Sequence, residues 1–258
     1  MVRYPVSSVG RFVFVVSCFL ILFYAHCESK NLRITIYYFH RPPFYVRGEK
    51  VPGGFLMNFT VHILKQSGID AKLEEQSPKR ILRLLLSEPN ACSVGWFKTP
   101  DREKLYKFIG PFYVSPPPVL LVPGESQYHT KITRREFEAL AASGKLTTRC
   151  GFSYGATIDE IIAEYPSVTC LHAPTASLVR MLATGRIGSL LIDSEELGFL
   201  ILNDPSLKNR VKPVYLDNFV PSNPRYMMCS RKADPVILRA IDRKLAEVVP
   251  WLRKERNE

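Results

Sequence analysis

The chain has 258 residues, of which 46% are hydrophobic, 11% aromatic and 23% charged. This is a globular composition, and it excludes disorder or a coiled coil as a description of the whole chain. The formal net charge of +11 favours anionic partners, but no run of Lys and Arg is long enough to follow a phosphate backbone, so we expect no nucleic-acid partner.

The first 27 residues have the pattern of an export signal. An apolar, uncharged segment at 12–24 is preceded by two arginines and by no acidic residue, and small residues follow it at positions 25 and 27. The apolar segment is shorter than the roughly 20 residues of a membrane-spanning helix, which disfavours a retained anchor. A lipoprotein acylated on Cys27 is the other alternative. We expect a periplasmic protein from which the signal peptide, residues 1–27, is removed.

Four cysteines follow this segment: Cys92, Cys150, Cys170 and Cys229. An even number in an oxidising compartment predicts two disulfide bonds, for which three connectivities exist. Buried free thiols are the alternative, because each cysteine lies in an apolar, strand-like segment. None has the CxxC spacing of a metal site, and we expect neither a metal nor another cofactor.

Strand-like and helix-like segments alternate along the first hundred residues. The patterns predict strands at 32–39, 71–75 and 91–97, and helices at 55–66 and 79–87. The second helix has a Ser-Pro start, which is typical of a capped first turn. Three such units predict an α/β lobe with a largely parallel sheet.

A proline-rich segment at 110–124 interrupts this alternation, and we interpret it as a crossing between two lobes. Beyond it, capping boxes at Thr133-x-x-Glu136 and Thr157-x-x-Glu160 predict two helices. The remaining predicted elements are strands at 147–152, 168–172, 188–192, 211–216 and 225–230, and helices at 177–184 and from 235 onward. We therefore divide the mature chain into lobe 1 (28–113), lobe 2 with crossing strands (114–216), and a return crossing with a C-terminal helix on lobe 1 (217–258).

A motif directly after the third strand makes a family resemblance visible. Residues 98–102 (KTPDR), followed by 108–113 (FIGPFY), resemble the T-x-x-R and P-[FY] signature of the bacterial extracellular solute-binding proteins of family 3, the polar amino acid receptors of ABC transporters. Segments at 42–44, 53–55, 153–157 and 182–186 come in the family's order. The resemblance implies a type II periplasmic-binding-protein fold, which is α/β and two-lobed, with a mainly parallel sheet flanked by helices in each lobe and crossing strands between them.

The resemblance also implies two main ligand contacts. Arg102 aligns with the arginine that holds a ligand α-carboxylate, a role suited to its planar fork of donors, and Thr99 would add a hydroxyl donor. A surface ion pair with Asp101 or Glu103 is the alternative for Arg102. Asp193 aligns with the acid that binds a ligand α-ammonium and follows an apolar strand, although it could equally cap the next helix.

Two further sets of residues are candidates for the site. Thr157 and the amides near Gly155 stand at a predicted helix start, where free N–H groups favour an anion, with simple capping as the alternative. Tyr38, Phe39 and Phe44 would form an aromatic wall, with core packing as the alternative for alternate members of the strand. We expect no catalytic residue among these.

The chain departs from the family pattern where the family usually has acids. Residues 56–58 (LMN) and Gly188 occupy such positions, which weakens the case for a basic amino acid as ligand. Within the implied fold, we favour the disulfide Cys150–Cys170, on strands expected to be neighbours in lobe 2, and also Cys92–Cys229.

These features predict a monomeric, exported solute-binding protein that closes on a small amino acid-like or anionic ligand, and that delivers it to an inner-membrane permease for ABC-type uptake. A free-standing periplasmic sensor with a membrane partner is the first alternative. A dehydratase-like enzyme on the same fold is the second, but no Ser/His/Asp or HExxH arrangement appears in the sequence, so we predict a binding protein and not an enzyme.

Overall fold

The described part of the chain, residues 32–250 of the computed structural model, forms two β-sheets that are flanked by helices. The export signal predicted at residues 1–27 lies outside this part. Between residues 32 and 250, none of the helices combines the length and the apolar character that crossing a membrane requires.

The elements follow one another closely along the chain. In chain order they are β1 (Leu32–Tyr38), α1 (Phe55–Gln66), β2 (Ile69–Glu75), α2 (Pro78–Ser87), β3 (Ala91–Phe97), α3 (Pro100–Leu105), β4 (Lys107–Ser115), β5 (Val119–Pro123), β6 (Lys131–Ile132), α4 (Arg134–Ala142), β7 (Leu146–Arg149), α5 (Ala156–Glu164), β8 (Thr169–Leu171), α6 (Thr175–Ala183), β9 (Ser189–Ile192), α7 (Ser194–Asn203), a 3-10 helix (Pro205–Asn209), β10 (Val211–Leu216), β11 (Asn223–Cys229) and α8 (Pro235–Val248). The predicted alternation of strands and helices is therefore present in both halves of the chain.

The first sheet has the strand order β2-β1-β3-β11-β4, and the second has the order β6-β10-β5-β9-β7-β8. The predicted α/β fold with two sheets is confirmed. Both sheets are mixed, because β11 runs antiparallel to β3 and β4, and β5 runs antiparallel to β9 and β10. The chain passes from the first sheet to the second between β4 and β5 and returns between β10 and β11, while the exact lobe boundaries given above stay predictions.

Local sequence signals explain several of the helix starts. Ser77 caps α2 by accepting a hydrogen bond from the Arg80 amide, and Thr133 and Glu136 form the predicted capping box of α4. The capping box predicted at Thr157 is wrong. Helix α5 begins at Ala156, so Thr157 lies inside its first turn and does not cap it. Asp159 instead reaches back and accepts hydrogen bonds from the Tyr154 amide and the Ser153 hydroxyl.

Strand β5 shows how the second sheet is covered on both faces. Its residues Leu120 and Val122 pack with α4 and α5, whereas Val119 and Leu121 pack with α6 and α7. A strand buried on both faces needs apolar residues at every position, which accounts for the continuous apolar sequence VLLV.

Both predicted disulfide bonds are present, which overturns the alternative of free thiols. Cys92 and Cys229 are register partners on β3 and β11 of the first sheet. Cys150 follows β7 and joins Cys170 on the adjacent strand β8 of the second sheet. Each disulfide thus links neighbouring strands of one sheet.

The two disulfides differ in their access to solvent, because Cys92 and Cys229 are 0% exposed whereas Cys170 lies on the surface. Thiol–disulfide exchange requires access to a sulfur atom. We expect a mild thiol reductant to open Cys150–Cys170 in the folded protein while Cys92–Cys229 stays intact until urea unfolds the chain. Alkylation followed by peptide mass spectrometry identifies the freed thiols, and equal labelling of all four before unfolding would contradict the prediction.

Candidate functional site

The two halves of the molecule meet through a buried arginine. Arg41 follows β1 of the first sheet, and Asp193 and Glu196 follow β9 of the second sheet, at the start of α7. The Arg41 guanidinium contacts Asp193 and donates to Glu196 Oε2 from Nε at 3.0 Å and from Nη2 at 2.8 Å. This is a bidentate and bridging arrangement, which favours a fixed orientation of the planar group.

A second buried arginine shares the same carboxylate. Arg225, on β11, donates from Nη2 to Asp193 Oδ2 at 2.9 Å, from Nε to Ser115 Oγ at 2.6 Å and from Nη1 to the Gly95 carbonyl oxygen at 3.1 Å. Its side chain is 2% exposed. Asp193 and Glu196 thus balance the charges of Arg41 and Arg225 in a cluster from which water is excluded.

Aromatic rings cover the faces of these guanidinium groups. The ring of Phe44 lies 5.0 Å from the guanidinium carbon of Arg41 and 4.8 Å from that of Arg225. Phe152 covers Arg41 at 4.8 Å, and Phe97 covers Arg225 at 4.3 Å. Such cation–π contacts strengthen when the cation is withdrawn from water.

The electrostatics of Asp193 follow from these neighbours. Burial acts to raise the pKa of the Asp193 carboxyl, but the guanidinium groups of Arg225 and Arg41 outweigh it and hold that pKa below its ordinary value. A carboxyl whose pKa is lower in the folded state contributes stability above its unfolded pKa, and this contribution is lost as the pH falls through the folded pKa. The cluster is therefore intact at neutral pH and weakens in acid.

The surroundings of Arg102 differ from those of Arg41 and Arg225. Its guanidinium lies 5.0 Å from the Trp96 ring and donates to the Phe97 carbonyl oxygen at 3.0 Å. Within residues 32–250, no carboxylate oxygen lies within 4.0 Å of it, and burial lowers its pKa. The alternative of a surface ion pair is wrong for this residue, because Asp101 pairs with Lys104 and Glu103 pairs with Lys98.

The Arg102 side chain lines a small cavity between the halves. Its other lining residues include Arg41, Arg225, Phe39, Trp96 and Phe152. The cavity volume is about 30 Å³, which is room for roughly one or two water molecules. In this structure the cavity is too small for a guest of amino acid size.

A second, larger cavity has a volume of about 210 Å³. It is lined by Arg41, which lines the smaller cavity too, and by Glu196. Arg149 lines it from the end of β7, stacks 4.1 Å from the Phe152 ring and donates to Thr175 Oγ1 at 3.3 Å. Thr175 in turn donates to Glu196 Oε1 at 2.7 Å. Between residues 32 and 250, no three His, Cys, Asp or Glu side chains converge as metal ligands would.

The structure brings part of the predicted site together. Arg102 and Phe39 line the smaller cavity, and Phe44 lies beneath the guanidinium groups of Arg41 and Arg225. Asp193 lies in the same cleft, in the capping position of α7, but its side chain makes no capping hydrogen bond and is engaged by the two arginines.

The other predicted residues lie apart from the two cavities. The Thr99 side chain accepts the Arg102 amide hydrogen at 3.4 Å and so caps α3. Tyr38 is buried in the first sheet, Thr157 lies in the first turn of α5, and Gly155 is the residue before that helix. Gly155 has a φ of 100°, a backbone conformation that residues with a Cβ rarely adopt, so the position favours glycine for backbone reasons. Ligand contacts by these four residues, and equally by Arg102, Phe39, Phe44 and Asp193, stay predictions.

The sequence interpretation missed Arg41, Arg149 and Arg225. Arg41 and Arg149 carry the same signal that pointed to Asp193, since each lies at the carboxyl end of a strand, where sites in α/β sheets form. Arg225 carries no such signal, because it lies inside β11 and its burial depends on a carboxylate that is distant in sequence.

Two mixed α/β sheets, joined by two crossings and separated by a charged, aromatic-lined cleft, define a two-lobed ligand-binding protein. The family model of the bacterial extracellular solute-binding proteins, family 3, matches residues 33–250, and the chain belongs to this family. No curated protein sequence matches the chain.

Solved structures share the fold at low sequence identity. The arginine-, lysine-, histidine-binding protein ArtJ from Geobacillus stearothermophilus has a TM-score of 0.69 and 15% identity, covering 87% of this chain and 91% of that one. Arginine-bound, truncated ArgBP from T. maritima has a TM-score of 0.65 and 18% identity, covering 84% and 96%. A histidine kinase sensor domain with similarity to periplasmic binding proteins has a TM-score of 0.68 and 15% identity, covering 88% and 95%.

Replacing the shared carboxylate tests the charge cluster. We expect Asp193→Asn to lower the free energy of unfolding by about 3 kcal/mol, because it leaves a buried guanidinium without its counter-charge. We also expect the wild-type protein to lose stability below about pH 4, the ordinary range of an aspartate pKa, and the variant to lose less. Urea unfolding at several pH values measures both effects.

Asp70→Asn is the matched control, because Asp70 forms an exposed ion pair with Arg33 at 3.5 Å. Exposed pairs contribute about 0–1 kcal/mol, so this variant should differ little from wild type. Equal effects of the two substitutions, or an unchanged acid response in Asp193→Asn, would show that the cluster is not the source of the stability.

Proposed function

We propose that the protein is an exported, monomeric solute-binding protein that closes its cleft around a small organic anion. The observation that carries this proposal is the Arg102 guanidinium, which faces an aromatic-lined cavity between the halves and has no carboxylate within 4.0 Å among residues 32–250. A planar guanidinium binds a carboxylate through two parallel hydrogen bonds. The ligand's anionic group would supply the charge that Arg102 lacks.

The neighbouring charges support an anion over a basic amino acid. Two buried acids of the cleft, Asp193 and Glu196, are engaged by Arg41 and Arg225. Arg149 adds a further guanidinium that has no carboxylate within 4.0 Å in the described residues. The sequence also lacks acids at residues 56–58 and 188, where the family usually has them.

The small volume of the cavity beside Arg102 gives closure a physical role. A carboxylate-bearing ligand is larger than about 30 Å³, so it would enter an open cleft and be enclosed when the halves approach. Enclosure removes water from the Arg102–carboxylate contact, and charge interactions strengthen as the local dielectric constant falls. Phe39, Trp96 and Phe152 would pack against the apolar part of the ligand.

Delivery of the ligand to an ABC-type permease is the use that we propose for this binding, in keeping with an export signal and an extracellular family. A second candidate is ligand sensing with a membrane partner, because a histidine kinase sensor domain shares the fold. Loss of ligand uptake in a deletion strain supports delivery, whereas normal uptake with a lost transcriptional response supports sensing. We propose no catalysis, and recovery of a bound ligand chemically unchanged after long incubation is the corresponding test.

Removing the Arg102 side chain tests the proposed anion contact. In a thermal-shift screen of mono- and dicarboxylates, amino acids and phosphate, we expect at least one carboxylate to raise the melting temperature of the wild-type mature protein. Arg102→Ala should abolish that shift, and Arg102→Lys should retain part of it, because lysine keeps the charge but loses the planar fork.

Arg239→Ala is the matched control, because Arg239 is an exposed arginine of α8 and its loss changes the net charge by the same amount. Its ligand response should equal that of wild type. A carboxylate shift of undiminished size in Arg102→Ala would overturn the assignment of Arg102, and a response to phosphate alone would overturn a carboxylate ligand.

A further inference from the structure

The side chain of Arg41 fills an acidic site in the opposite half of the molecule. It comes from the end of β1, and its two partners, Asp193 and Glu196, belong to the segment that follows β9. The site therefore receives its positive charge from a different sheet than its negative charges. In this respect Arg41 resembles a guest held between the halves, except that it is tethered by the backbone.

The acidic site has the form of a receptor for a planar cation. Asp193 and Glu196 are each only 5% exposed, so both carboxylates are withdrawn from water. Thr175 donates to Glu196 Oε1 at 2.7 Å, which fixes that carboxylate while its other oxygen accepts from Arg41. Phe44 and Phe152 lie 5.0 Å and 4.8 Å from the Arg41 guanidinium carbon and cover it.

We infer that Arg41 is a tethered occupant of a cation site in the cleft, and that it is the residue that restricts the ligand to anions without an ammonium or guanidinium group. With Arg41 in place, two guanidinium groups balance the carboxylates of Asp193 and Glu196. A ligand ammonium would have to displace a buried, hydrogen-bonded arginine to reach either acid. The restriction on ligand class depends on the proposed function, whereas the cation site depends only on the contacts of Arg41.

Truncating Arg41 should turn the filled site into an open one. Arg41→Ala leaves one negative charge in excess among buried groups, so we expect a lower melting temperature than that of wild type. Methylguanidinium chloride at low millimolar concentration should then raise the melting temperature of the variant in a saturable way, because it restores the charge and the planar donors. Wild type should show no such rise, and neither protein should respond to sodium chloride at equal ionic strength.

Arg47→Ala is the matched control for this rescue. Arg47 also pairs with a carboxylate, that of Glu75, but its side chain is 66% exposed, so the pair offers no enclosed site. Methylguanidinium should leave this variant unchanged. If Arg41→Ala fails to fold, the recovery of folded protein on refolding with methylguanidinium, compared with sodium chloride, takes the place of the melting temperature.

A second measurement tests the effect on ligand class. Matched pairs of a carboxylate and its α-amino derivative, such as glutarate with glutamate and propionate with alanine, are compared on wild type and Arg41→Ala. For wild type, we expect the apparent dissociation constant, taken from the rise of the melting temperature with ligand concentration, to be at least about tenfold lower for the carboxylate of a pair than for the amino acid. A factor of this size corresponds to one buried charge contact, and the variant should lose the preference.

The outcomes separate the two proposals. Rescue without any carboxylate response in wild type supports the cation site and overturns the proposed anion-binding function. Stabilisation of wild type and Arg41→Ala to the same extent, or of neither, overturns the cation site. Rescue together with a wild-type preference for the amino acid of a pair overturns the restriction on ligand class.

Discussion

A buried charge must be neutralised by a partner, and this constraint organises the centre of the molecule. Arg41 follows β1, Arg225 lies on β11, and Asp193 and Glu196 lie at the start of α7, so each buried charge finds a partner of opposite sign on another element. Because the partners belong to different sheets, satisfying their charges also fixes how the sheets approach one another. The aromatic rings of Phe44 and Phe152 exclude water from the contacts and thereby strengthen them.

The same constraint distinguishes two classes of arginine in the cleft. Arg41 and Arg225 are internally neutralised, whereas Arg102 and Arg149 are paired with neutral oxygens and aromatic rings. An internally neutralised group supplies structure, and a guanidinium without a nearby carboxylate can supply binding energy to a guest. This division, and not the net positive charge of the chain, underlies the proposal of an anionic ligand.

Much of the fold is predictable from the sequence because its signals are local. The apolar strands, the Ser77 cap of α2 and the capping box at Thr133 act within a few residues, and the structure confirms them. The capping box at Thr157 was wrong because two local signals competed, and Asp159 bound the amide of Tyr154 instead. The disulfides were predictable because pairs of neighbouring strands follow from the fold class.

The site was less predictable, since its decisive contacts join residues that are far apart in sequence. The sequence motif points to Arg102, but it does not show that the neighbouring acids Asp101 and Glu103 form their ion pairs with lysines and not with Arg102. Asp193 and Arg41 are separated by 152 positions, so their pairing is a property of tertiary structure alone. A strand-end arginine such as Arg41 is visible in the sequence, but its partner becomes visible only in the fold.

The placement of the cross-links has a mechanical consequence. Cys92–Cys229 braces the first sheet and Cys150–Cys170 braces the second, and in residues 32–250 neither spans from one sheet to the other. The disulfides therefore cross-link each sheet internally and leave the two crossings between the sheets without a covalent brace. If the proposed closure around a ligand moves one sheet against the other, these sulfur bridges stay intact throughout the movement.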